Sequence, residues 1–173
     1  SGEIKESPST IRSLTKVFRE EFPQVENATA IKYGDLHTLE TESHKKISGE
    51  EAYVDSAFFR IFPFPVTEGN PEYIANHPDN IILSETMARK MFGSSPAVGQ
   101  KLTYSGYGRE NIYNVVAVVK IPPKSHIRFD IAYPMDSYGR GMAGYSWDRF
   151  RENIHVYIKM KAGDGGKMYE KEL

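Results

Sequence analysis

The chain reads as an α+β protein, and three observations carry that reading. Strong helical periodicity is confined to one segment near the N-terminus and one at residues 84–93, with a further helix only beginning at "GKMYEKEL". The runs "QKLTYSGYG", "NIYNVVAVVKI" and "IRFDIAYPM" are strand-like and follow one another with only turn residues between them, "GYGRE" and "PPKSH". The strands therefore do not alternate with helices, as a parallel α/β sheet requires. At 173 residues, with 39% hydrophobic and 26% charged side chains, the chain suits one globular domain, or two small subdomains sharing a core.

The elements follow in order. Ser7 is placed to cap a first helix, with Pro8 at its first position, where a missing N–H costs nothing. Ile11, Leu14, Phe18 and Phe22 recur at helical spacing, and Val17 widens the stripe. Arg12, Lys16, Arg19 and Glu20 fall mostly on the other side, and Pro23 ends the helix. "VENATAIKYG" reads as a strand. "LHTLETESHKK" reads as a second, more polar one after the Gly34-Asp35 turn, an edge strand or exposed ribbon. "EEAYVDS" is another strand. It runs into "AFFRIFPFPV", where Pro63 and Pro65 forbid a regular helix. A short helical turn over 56–62 and then an irregular segment are expected there, with Phe58, Phe59, Phe62 and Phe64 filling a core in a division the pattern leaves open. "EGNPEYIANHPDN" has turn residues at both ends and one short helix starting at Pro71.

"NIILSETMARKMFG" is the best-formed local unit. Ile81, Ile82 and Leu83 are apolar on both faces of a strand, which places it centrally. Ser84 caps the following helix, Met87, Met91 and Phe92 give it an apolar face, and Gly93 supplies the positive φ that ends it. Further on, "DSYGRGMAGYSWDRF" is too rich in glycine for a helix and reads as a loop; "NIHVYIKMKA" is a last strand.

Composition excludes several classes. With 22 Lys+Arg against 23 Asp+Glu the net charge is −1, which gives no electrostatic ground for a nucleic-acid partner. No run approaches the ~18 apolar residues of a membrane span. "SGEIKESPST" lacks the charged-then-apolar order of a signal peptide, and Ser1-Gly2 reads as a cloning scar on an excised domain. The chain has no cysteine, so disulfides, thiolate metal sites and a cysteine nucleophile are excluded.

No residue set forms a catalytic constellation. His37, His44, His77, His126 and His155 show no metal-ligand spacing, and neither a metal nor a cofactor is expected. His37 and His44 read as solvated, as do the paired carboxylates of "GEEAY". Ser84 stands between a strand and a helix, but "LSETM" lacks the glycines of a nucleophile elbow, and a capping role explains it. His126 could act as a base next to Ser125, but "PPKSH" reads first as a structural corner. The chain is therefore expected not to be an enzyme. Tyr104, Tyr107 and Arg109 in one turn, and Tyr138, Arg140, Tyr145 and Trp147 in the Gly/aromatic loop, are the residues expected to contact a partner, because such side chains are enriched at interface hot spots.

Taken in order, "SAFFRIFPFPVTEGNP", "NIILSETMARKMFG", "PAVGQKLTY", "YNVVAVVKIPPKSHIRFDIAYPM" and "NIHVYIKMKA" resemble the MacB-like periplasmic core domain of FtsX-type ABC transporter permeases, over roughly residues 5–173. The resemblance is to the versions common in Bacteroidetes-like bacteria. It implies a two-lobed fold: an α+β (Porter-like) lobe from 5–98 and 135–173, and a β-rich (Sabre-like) insertion from 99–134. It implies a periplasmic domain of an inner-membrane protein, non-catalytic, that couples cytoplasmic ATP hydrolysis to export or mechanotransmission. The implied partners are a second permease subunit, a cytoplasmic ATPase subunit or domain reached through the membrane part, and a periplasmic protein. Family members usually continue past the last strand; a lobe cut short there would expose a sheet edge to a second copy. The rival reading is a periplasmic sensor domain with a small-ligand pocket.

Overall fold

The computed structural model describes residues 11–106, 109–138 and 154–162. In chain order these form α1 (Ile11–Glu21), β1 (Val25–Tyr33), β2 (His37–Thr41), β3 (Lys46–Gly49), β4 (Glu51–Val54), α2 (Phe58–Ile61), β5 (Val66–Gly69), a 3-10 turn (Pro71–Asn76), β6 (Asn80–Ser84), α3 (Glu85–Phe92), β7 (Lys101–Gly106), β8 (Arg109–Val119), β9 (Ile131–Pro134), a second 3-10 turn (Met135–Ser137) and β10 (Ile154–Met160). The start of the first helix at Ser7 and the closing "GKMYEKEL" helix lie outside the described residues.

All ten strands join one sheet, in the order β10-β1-β4-β9-β6-β8-β7-β2-β3, with β5 paired to β8 beside that path. β4 with β9 and β6 with β8 are parallel. The other pairs are antiparallel. The α+β expectation is met. Residues 99–134, expected as a separate insertion, supply β7, β8 and β9 to this sheet. β8 hydrogen-bonds β6 from Asn114 to Val119, and β9 lies between β4 and β6.

β1 and β2 are neighbours in sequence but lie far apart along the sheet. The sheet therefore curls until its β2 end returns to β4. The Gly34 N–H donates to the Glu51 carbonyl at 2.9 Å, which fixes the turn at that junction. β2 is not an edge strand as expected: it pairs β7 on one side and β3 on the other, and Leu39 is fully buried.

Each face of the sheet carries a core. On one lie Leu39, Ile81, Leu83, Met87, Met91, Leu102 and Ile131. On the other lie Ile31, Val54, Phe58, Ile74, Ile82, Ile127 and Phe129. β6 contributes to both, Ile81 and Leu83 to the first and Ile82 to the second, as its unbroken apolar run predicts. Ser84 Oγ accepts from the Met87 N–H at 3.1 Å and so caps α3. Gly93, at φ 68°, ends that helix with its N–H on the Arg89 carbonyl.

The aromatic segment divides unequally. Phe58 is fully buried, while Phe59, Phe62 and Phe64 are half-buried around it. β5, read from the sequence as irregular, is a strand held from outside. It pairs β8 through Val66, Glu68 and Gly69, and the Glu68 carboxylate accepts from the Ala97 and Val98 N–H groups at 2.9 and 3.1 Å. Gly69 has φ +70°, and a Cβ there would lie 2.1 Å from the Val116 carbonyl oxygen, so no other residue fits without backbone movement.

Candidate functional site

Two features concentrate polar chemistry. The first is a buried clasp where the curled sheet meets itself. In β4, Ala52 and Val54 face one core, which turns Glu51 and Tyr53 to the other face. Glu51 is 2% exposed. Its Oε2 lies 2.7 Å from His37 Nδ1 in β2, and its Oε1 accepts from the Tyr133 hydroxyl in β9 at 3.1 Å. His37 packs edge-on to Tyr104 at 5.0 Å, and Tyr133 touches both Tyr53 and Tyr113. Burial raises the Glu51 carboxyl above the ordinary range. The hydrogen bonds from His37 and Tyr133 oppose that rise, and Asp35 adds to it. Burial and the Glu51 charge also raise the phenols of Tyr53 and Tyr133, which remain neutral donors. The expectation that His37 and the "GEEAY" carboxylates are solvated is thus wrong for His37 and Glu51. Each was judged on its own short polar run, whereas the curl of the sheet places each against the other.

A carboxyl beside an imidazole is also what acid–base catalysis uses. Here both carboxyl oxygens are engaged in tying β4 to β2 and β9. Ser84 and Ser125 are each engaged in local structure. Ser84 Oγ caps α3 and donates to Asp130 Oδ1 at 3.2 Å. Ser125 Oγ accepts from the Ile127 N–H at 3.2 Å, and the Ser125 N–H bonds the Pro122 carbonyl, forming the corner read from "PPKSH". Among the described residues no cluster of three or more His, Asp or Glu side chains is placed to hold a metal ion.

The second feature is an open cleft of about 540 Å³. Its wall is the segment after that corner. Ile127 and Phe129 point into the core and are buried, so the alternate residues His126 and Arg128 are left outside, facing the cleft. Across from them lie Tyr33 of β1 and His155 and Tyr157 of β10, on one face because Ile31 pairs with His155 and Thr29 with Tyr157. Glu50, Glu51 and Leu36, the last 69% exposed, complete its lining. Burial raises the Tyr33 phenol and the Tyr157 charge adds to the rise; a hydrogen bond from the Arg128 backbone opposes it, and the Glu50 charge adds a smaller increment. A smaller cavity, about 370 Å³, lies between α1, the Pro71–Asn76 turn and the start of the second 3-10 turn.

Of the residues expected to contact a partner, Tyr107, Arg140, Tyr145 and Trp147 lie outside the described residues. Arg109 begins β8. Tyr104 is half-buried in β7 against His37. Tyr138 is half-buried after the second 3-10 turn, edge-on to Tyr53 at 4.7 Å, with Lys32 Nζ 4.6 Å from its ring centre. Tyr104 and Tyr138 are thus packed within the domain rather than standing free in loops.

Solved structures share this architecture. A domain of a putative permease protein from Porphyromonas gingivalis superimposes with a TM-score of 0.72 at 20% identity, covering 87% of this chain and 68% of that one. The periplasmic region of MacB from Actinobacillus actinomycetemcomitans gives 0.68 at 13% identity, over 94% and 69%. The extracellular domain of the noncanonic ABC-type transporter YknZ from Gram-positive bacteria gives 0.65 at 15% identity, over 92% and 77%. No curated protein sequence matches the chain. No helix among the described residues is long and apolar enough to cross a membrane. The MacB-like periplasmic core domain family matches residues 2–173, and with a fold shared by such permease domains the chain belongs to that family, as a periplasmic domain of a MacB/FtsX-like ABC transporter permease.

Proposed function

We propose that this domain is a non-catalytic coupling element. It would transmit conformational change, driven by ATP hydrolysis in the cytoplasm, to export or to a mechanical output in the periplasm. Its partners would be a second permease subunit, an ATPase subunit or domain reached through the membrane part, and a periplasmic protein contacted through Tyr104, Tyr107, Arg109, Tyr138, Arg140, Tyr145 and Trp147. The observation that carries this reading is the single sheet with a packed core on each face: displacement at one end is resisted by hydrogen bonds and close packing along its whole width. In this proposal 5–98 with 135–173 and 99–134 are two sequence units of one moving body, since β8 and β9 are interior strands.

The test uses the intact parent transporter with the domain replaced by a Gly/Ser linker, reading ATP hydrolysis and periplasmic output separately. Hydrolysis should persist while output is lost; undiminished output would sink the coupling role. Ser84→Ala should cost about 1 kcal/mol of stability through the lost cap, with output unchanged. Loss of output from a folded Ser84→Ala domain would point to chemistry at that serine instead.

A further inference from the structure

We propose that the cleft beside the "PPKSH" corner binds an amino-acid-class zwitterion, with its ammonium at Glu50, its carboxylate at Arg128 and its side chain against Tyr33, Tyr157 and His155. The inference rests on the cleft alone and does not depend on the coupling role. Its volume, about 540 Å³, falls among small-molecule sites. The two Glu residues in its lining are not equivalent. Glu51 is committed to His37 and Tyr133. Glu50 is exposed and its carboxylate bonds no described residue; only its backbone is engaged, with Asp130 and Ile131. A carboxylate that bonds no described residue and lines a cleft with aromatic rings suits an ammonium group, which the carboxylate and the ring faces both attract.

Arg128 supplies the opposite charge. One guanidinium nitrogen, Nη2, holds the Pro123 carbonyl at 2.5 Å, which orients the group and leaves its other donors for a carboxylate. Between the charges the wall is aromatic. Tyr33 and His155 meet edge-on at 5.8 Å, and Tyr157 is held against Phe62 at 4.9 Å, so these rings are positioned by the core. Leu36, also in the lining, is exposed apolar surface that a ligand side chain would cover. A simple cation would leave Arg128 unused and a simple anion would meet Glu50, so the pair of charges selects a molecule carrying both.

The 173-residue chain is titrated calorimetrically with phenylalanine and leucine, and with two one-charge probes, phenethylamine and N-acetylphenylalanine. At least one amino acid should bind saturably, and each one-charge probe should bind about tenfold more weakly than phenylalanine, the loss of one charge-assisted contact. Glu50→Gln should erase the preference for phenylalanine over N-acetylphenylalanine, and Arg128→Gln the preference over phenethylamine. Both side chains are exposed, so thermal melting should report intact folds. Absence of saturable heat with either amino acid overturns the proposal. Equal affinity for the one-charge probes, or binding indifferent to both substitutions, overturns it as well.

Discussion

Phe58→Ala should be the most damaging single truncation of an aromatic side chain in the described structure. A loss of about 3–5 kcal/mol is expected, against a total of roughly 5–15 for a domain of ordinary stability. Phe58 has no exposed surface and stands at the centre of a ring cluster, with Phe59, Phe62, Phe64 and Phe129 at 5.0, 5.2, 6.2 and 6.3 Å. α2 is one helical turn and cannot collapse into the void, because Asp55 fixes its start: Asp55 Oδ1 accepts from the Ala57 N–H at 2.9 Å and from Thr29 Oγ1 at 2.5 Å. In a chain of this size the expected fall in Tm is roughly 6–20 °C. Phe59→Ala is the control. Its ring is only half-buried and should cost much less. Equal losses from the two, measured by urea unfolding, would show that Phe58 is not the hub of this core.

That hub was not legible in the sequence, and the reason is physical. Phe58, Phe59, Phe62 and Phe64 are of one residue type in a segment interrupted by Pro63 and Pro65, so no period of 2 or 3.6 sorts them. What sorts them is the core brought together from other elements, Ile31, Val54, Ile74, Ile82, Ile127 and Phe129, in which Phe58 alone of the four is fully buried. Where an element carries its own instructions, the reading succeeded. In "NIILSETMARKMFG" the apolar run, the capping serine, the Met spacing and the terminal glycine are all local, and strand, cap, helix and stop stand where expected. Strand β5 failed for the opposite reason. "VTEG" has little strand character, and its order comes from β8 and from two backbone N–H groups on Glu68. The placement of 99–134 as an insertion came from resemblance, and only the sheet order shows β8 and β9 at its middle. The partner-contact residues were chosen as aromatics in glycine-rich turns; Tyr104 and Tyr138 are half-buried, in ring contact with His37 and Tyr53, elements that only the fold brings beside them. The cleft was hidden as well, although the alternation His126, Ile127, Arg128, Phe129 was available as a signal that two of these residues face out.

Glu51 is the residue on which sequence and structure differ most, and it carries a pH prediction of definite sign. Its folded-state carboxyl is raised above its ordinary value, chiefly by burial. A raised carboxyl binds its proton more tightly in the folded chain than in the unfolded one. Its contribution to stability is therefore fully present below the unfolded value and is lost as pH rises through the folded value. Protonated, Glu51 can donate from Oε2 to a His37 Nδ1 that carries no proton and still accepts the Tyr133 hydroxyl at Oε1. Glutamine offers the same donor and acceptor to that imidazole tautomer without titrating itself, since its amide donates and its carbonyl accepts. Glu51→Gln should thus match the parent near pH 4.5 and exceed it increasingly towards pH 8, measured as the urea midpoint at fixed ionic strength. Glu51→Ala should be worse than both throughout, by about 1–3 kcal/mol, because it leaves His37 and the buried Tyr133 hydroxyl unpaired. Parallel pH profiles for the parent and Glu51→Gln would mean that this carboxyl titrates alike in the folded and unfolded chain. The clasp would then hold the curl of the sheet without sensing the proton, and its acidity would offer no route by which periplasmic pH alters the domain.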